Sequence, residues 1–134
     1  MSITAIRNAL ATNLGTITGL RTSAEIPDNP SPPIAIVQLQ SVTYDGAFAN
    51  GLTVYNFLIS VIVGKVAERE AQRKLDAYTS STGASSIKLA VQSDKSLGGN
   101  AYDVRVTEMT NIGAVSLGEA NYLAADFVVT VYAN

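Results

Sequence analysis

Four carboxylates in the last third of the chain are the residues best able to do chemistry. Asp103, Glu108, Glu119 and Asp126 lie on or beside two segments that read as neighbouring strands, where two of them could meet and share a proton as general acid–base work requires. An ion-paired sheet face explains the same residues more simply. If the two segments pair as a hairpin, Arg105 lies opposite or diagonal to Asp126, and such a cross-strand pair contributes roughly 0.2–1 kcal/mol. The chain contains no histidine and no cysteine. That removes Ser-His-Asp hydrolysis, imidazole and thiolate metal sites, thiol catalysis and disulfides. The glycine pair of Leu97-Gly98-Gly99 lacks the Gly-x-x-x-x-Gly-Lys-Ser/Thr frame of a phosphate loop and leads into a strand, so it reads as a turn. No enzymatic activity, cofactor or metal is expected.

Positioning such residues is the task of a chain of 134 residues, read as a single domain over 1–134. A chain of this length buries roughly two-thirds of its unfolded surface. Charged residues make up only 15% of it, against 47% hydrophobic, the composition of a packed core and not of a disordered segment. No apolar run reaches the ~18–20 residues of a membrane span. Met1-Ser2-Ile3-Thr4-Ala5 lacks the basic and apolar regions of a signal peptide, so synthesis in the cytoplasm and no membrane partner are expected. Nine basic residues against eleven acidic ones form no overall cationic footprint for gripping nucleic acid.

Ile3, Ile6, Leu10 and Leu14 recur at helical spacing, with Gly15 as the stop. Thr16 to Ala24 includes a short extended piece, and the prolines of 27–33 exclude helix and central strand from the connector that follows. Ile34–Tyr44 and Leu52–Gly64 read as strands joined in a hairpin, Ala67–Thr79 as a helix with Ala71, Leu75 and Tyr78 on one face, and Ser85 or Ser86 as the cap of a second short helix. Tyr102–Met109 and Tyr122–Tyr132 read as the last strands, with 111–120 as a loop or hairpin tip. Hairpins separated by two short helices predict an α+β fold: a mainly antiparallel sheet of four or five strands with helices packed on one face.

The strand Tyr55-Asn56-Phe57-Leu58-Ile59-Ser60-Val61-Ile62-Val63 is apolar on both faces, whereas a half-buried strand alternates. Tyr55, Phe57, Ile59, Val61 and Val63 should face the helices. Leu58 and Ile62 then need a second cover, either the Pro-rich connector or a neighbouring subunit. Phe48, in the Asp45–Gly51 loop, is either a core residue or an anchor for a partner, with Tyr44 and Tyr55 able to extend that patch. On the charged helix, Arg69 and Arg73 stand on a surface that either is solvated or pairs with a neighbour. Candidate contact residues are therefore Tyr44, Asp45, Phe48, Tyr55, Leu58, Ile62, Arg69 and Arg73.

The order of these segments resembles the tail terminator proteins of long-tailed bacteriophages, in particular those of phages infecting actinobacteria. The N-terminal helix leads to Gly19-Leu20-Arg21, and the Pro-rich connector to Pro33-Ile34-Ala35-Ile36-Val37. Ser41-Val42-Thr43-Tyr44-Asp45, Gly51-Leu52 to Val63-Gly64, Gln72–Tyr78 and Gly83–Lys88 follow. Leu97-Gly98-Gly99 then precedes Asp103–Glu108, and Tyr122–Phe127 completes the set. Each piece is structural and weak alone; the order and spacing carry the likeness. It implies a subunit of a homo-oligomeric, hexameric ring in the virion, at the head-proximal end of the tail. Its partners would be copies of itself, the major tail tube protein and a neck or head-completion protein. Viral DNA would pass through the lumen without sequence-specific binding. The resemblance implies no catalytic residue. Another neck connector, a tube subunit, or a non-viral binding module presenting the Asp45–Gly51 loop remain alternatives.

Overall fold

The computed structural model describes residues 3–17, 20–23, 33–44, 53–65, 69–117 and 120–133. Helix α1 (Ile3–Leu14) buries Ile6, Leu10, Asn13 and Leu14, and it ends where the Gly15 N–H returns to the Ala11 carbonyl at 2.9 Å. Strand β1 (Arg21–Ser23) follows, then β2 (Ile34–Thr43), β3 (Thr53–Lys65), α2 (Arg69–Thr79), α3 (Ile87–Val91), β4 (Asp103–Leu117) and β5 (Ala120–Ala133). The five strands form one sheet in the order β1-β2-β3-β5-β4.

The architecture is α+β, and the sheet is mixed. The pairs β2–β3, β3–β5 and β4–β5 are antiparallel, but β1 runs parallel to β2, with Arg21 opposite Ile34 and Ser23 opposite Ile36. The short extended piece expected after the first helix is this edge strand. β3 is interior, between β2 and β5, which pairs the backbone of its uncharged run on both sides and removes the aggregation hazard of an open edge.

Register explains the burial. Val37, Ile59 and Phe127 share one row across the sheet, and Leu39, Phe57 and Val129 the next. Their side chains meet those of α1, α2 and α3 in a single apolar core that includes Ile6, Leu10, Leu75, Tyr78, Ile87 and Val91. Tyr55 belongs to this layer, its ring centroid 6.4 Å from that of Phe57. The helices thus cover one face, and on α2 the buried residues are the expected Ala71, Leu75 and Tyr78.

Two readings of the sequence require correction. Residues 111–117 are strand, not loop: β4 runs on to Leu117 against β5, with register shifts between Val106 and Glu108 and between Thr110 and Gly113. The second shift contains Asn111, held at φ 53. This is bulge chemistry, which lets an extended ladder absorb residues that otherwise signal a turn. Arg105, in turn, does not reach Asp126. Arg105 lies opposite Thr130 and Asp126 opposite Thr110, and the guanidinium instead donates from Nε to Asp103 Oδ2 at 2.9 Å on its own strand.

Candidate interaction surfaces

The sheet face turned away from the helices is built from alternate residues of β2, β3, β5 and β4. One row places Ile34, Ile62, Ala124 and Gly113 side by side; the next places Ile36, Ser60, Asp126 and Thr110; a third places Gln38, Leu58, Val128 and Glu108. Ile34, Ile36 and Ile62 form a second, smaller buried cluster with Tyr122 and Ala124 packed against it. Ile62 is only 7% exposed, so the cover its sequence demands is supplied within the chain, and little of it is left for a partner. Leu58 is half-buried and lines a groove of about 510 Å³ with Ile36, Ser60, Ala114, Val115 and Asp126 among its walls.

Polar residues on this face bond to one another across the strands. Asp126 accepts from the Ser60 hydroxyl at 2.9 Å and from Asn111 Nδ2 at 3.0 Å. Asn56 donates to the Ser41 hydroxyl at 3.0 Å and accepts from the Thr130 hydroxyl at 3.4 Å. These ladders satisfy polar groups that the strand alternation leaves on this face, and the first of them, through Ser60, Asn111 and Asp126, lies in the wall of the groove. Of the four carboxylates, Glu108 and Asp126 are diagonal neighbours one row apart, Asp103 lies farther along β4 opposite Tyr132, and Glu119 falls outside the described residues. Asp126 is committed to Ser60 and Asn111, an arrangement that orders the sheet face. No group of three or more acidic residues that could hold a metal occurs among the described residues.

The other contact candidates are dispersed. Tyr44, just beyond β2, is 74% exposed. Asp45 and Phe48 lie outside the described residues. Tyr55 is 6% exposed and packed among core side chains, so it forms no common surface with Tyr44. Arg69 and Arg73 are exposed on α2, on the opposite side of the sheet from Leu58 and Ile62. Arg73 pairs with Glu70 at 3.2 Å, both side chains largely in solvent. The described candidates thus fall on chemically different surfaces, among them a half-apolar groove on the sheet and a charged helix beyond the core.

Sequence reasoning missed three polar residues that hold this frame. Buried Asn13 donates from Nδ2 to the Val91 carbonyl at 3.1 Å and to the Asp94 carbonyl at 3.3 Å, tying α1 to the end of α3. Asp94 binds the Ser96 hydroxyl at 2.8 Å, the Ser96 N–H at 3.2 Å and the Gly98 N–H at 3.0 Å. The Ser96 hydroxyl first, then the Gly98 amide, hold the Asp94 carboxyl below its ordinary pKa. The Gly98 amide that a phosphate loop would offer is therefore occupied, as the turn reading requires. Gln92, at the end of α3, reaches the edge of β4. An Asn at a position of helical period and acids before Gly-Gly are faint signals for such long-range bonds. No family model matches the chain, and no curated protein matches it.

Proposed function

We propose that this protein is a structural subunit of a bacteriophage tail, a tail terminator that assembles into a hexameric ring at the head-proximal end of the tail tube. The segment order supports this reading, and the observation that carries it furthest is the pair of unlike surfaces on opposite layers of one small domain. A closed ring built head to tail needs two different patches on each subunit. The groove around Leu58 and the charged face of α2 carrying Arg69 and Arg73 are such a pair. The mechanism is geometric. One ring face matches the end of the tube and the other matches the neck, so growth stops because the second face does not repeat the first. DNA passes through the lumen.

Electron microscopy of the purified protein, alone and mixed with tails that lack it, tests the reading. Six-fold rings at one tail end are expected. Leu58→Glu, which puts a charge in the half-buried groove at a cost of roughly 1–2 kcal/mol to the fold, should remove those rings while the subunit stays folded by circular dichroism. A protein that binds no tail end and is missing from virions overturns the proposal. Unlimited polymerisation of the isolated protein would assign it to the tube instead.

A further inference from the structure

Lys88, Gln92, Lys95, Arg105, Val106 and Thr107 line a cleft of about 410 Å³ between α3, the turn after it and the edge strand β4. Lys88, Lys95 and Arg105 are three of the nine basic residues of a chain whose formal charge is −2. Their convergence is local and runs against the overall balance.

Gln92 sets the polarity of the cleft wall. Its Oε1 accepts from Lys88 Nζ at 3.0 Å and from the Val106 N–H at 3.0 Å. Both partners can only donate, so the carbonyl end of the side chain must occupy that position and its NH2 must lie on the other side. Among the described residues that NH2 has no acceptor. Lys88 spends one of three N–H donors on Gln92. Arg105 spends its Nε on Asp103, leaving the two terminal nitrogens outside that bond. Asp103, a carboxylate beside the cleft, is already engaged by Arg105 and feels the charge of Lys95. The cleft therefore offers donors from α3, the turn and β4, and the charged residues that line it are all cationic.

We propose that this cleft binds a phosphate group, carried either by a small phosphate ester or by a nucleic-acid backbone. Two lysines, an arginine fork and an amide NH2 present more donors than the two oxygens of a carboxylate can accept, whereas a phosphate has further oxygens and carries more charge. The assignment is independent of the ring reading: it rests on the cleft alone.

The test is a titration of the intact 15N-labelled protein with inorganic phosphate and, separately, with short duplex DNA and an acidic peptide at matched ionic strength. Saturable shifts are expected at the Gln92 side-chain NH2 and the Val106 amide, with a dissociation constant for phosphate on the order of 1 mM. Lys95→Ala should weaken binding about fivefold to tenfold without changing the thermal midpoint, since Lys95 is exposed. Gln92→Glu keeps an acceptor for Lys88 and Val106 but turns the donor into an anion, so the fold should persist and binding should vanish. Saturation by phosphate alone supports a small ester as ligand; saturation by duplex at the same residues supports a nucleic-acid backbone. No saturable shift with either, unchanged binding by folded Gln92→Glu, or preference for the acidic peptide overturns the assignment.

Discussion

Single polar residues tie the elements of the helical layer to one another. Asn13 is buried on a helix whose other inward residues are aliphatic, and it satisfies two carbonyls at the end of α3. Replacing it with Ala leaves those carbonyls without that donor, so Asn13→Ala should lower stability by about 1–3 kcal/mol in a urea titration. Ser86 works similarly: its hydroxyl accepts from the Leu89 N–H at 3.1 Å and donates to the Ser80 carbonyl at 2.6 Å. That cap was legible, because a serine ahead of an apolar helical run is a local signal. Asn13 was not, because its partners lie 78 and 81 positions away.

Asp94 makes a prediction about pH. Its folded-state pKa is depressed, so its contribution is complete above the unfolded value near 3.8 and is lost as pH falls through the folded value. Asp103, held down first by its hydrogen bond from Arg105, acts in the same direction. Stability should therefore stay level from neutrality to about pH 5 and fall below about pH 4. In Asp94→Asn the acid-dependent loss should be smaller, as read from urea midpoints at neutral pH and at about pH 3.

At the scale of elements, β3 organises the molecule. It pairs with β2 over one edge and β5 over the other, and its residues Phe57, Ile59 and Val61 are fully buried under the helices. Phe57→Ala should cost about 3–5 kcal/mol, measured by chemical denaturation, because the surrounding strands and helices relax only partly into the space left. The apolar period of β3 and the two-sided character of its sequence announced an interior strand. The length of the β4–β5 hairpin was hidden. Asn111 and Gly113 carry the residue types of a turn, and only cross-strand pairing beyond the bulge shows that the ladder resumes with Gly113 opposite Ala124.

At the scale of the whole molecule, the sheet divides it into two unlike sides. The helices bury one face and leave the charged surface of α2 outward; the other face combines a small apolar cluster, hydrogen-bonded ladders and a groove. The proposed ring draws on both sides, and the loss of tail-end rings in Leu58→Glu with a folded subunit belongs to this scale. The cleft of Lys88, Lys95 and Arg105 is a third surface, where α3 meets the edge of the sheet.

The sequence by itself determined the helices, the strand hairpins and the helix-facing core, because the periods of apolar residues are local consequences of backbone geometry. It excluded histidine and cysteine chemistry outright. Only the tertiary structure decided that β1 lies parallel to β2, that Ile62 is covered within the chain, that Arg105 turns to Asp103 and not to Asp126, and that Lys88, Lys95 and Arg105 share a cleft. Each of these depends on register or on contacts between residues distant in sequence. A bulge of one or two residues changes which side chains meet without changing the apolar period that announces the strand.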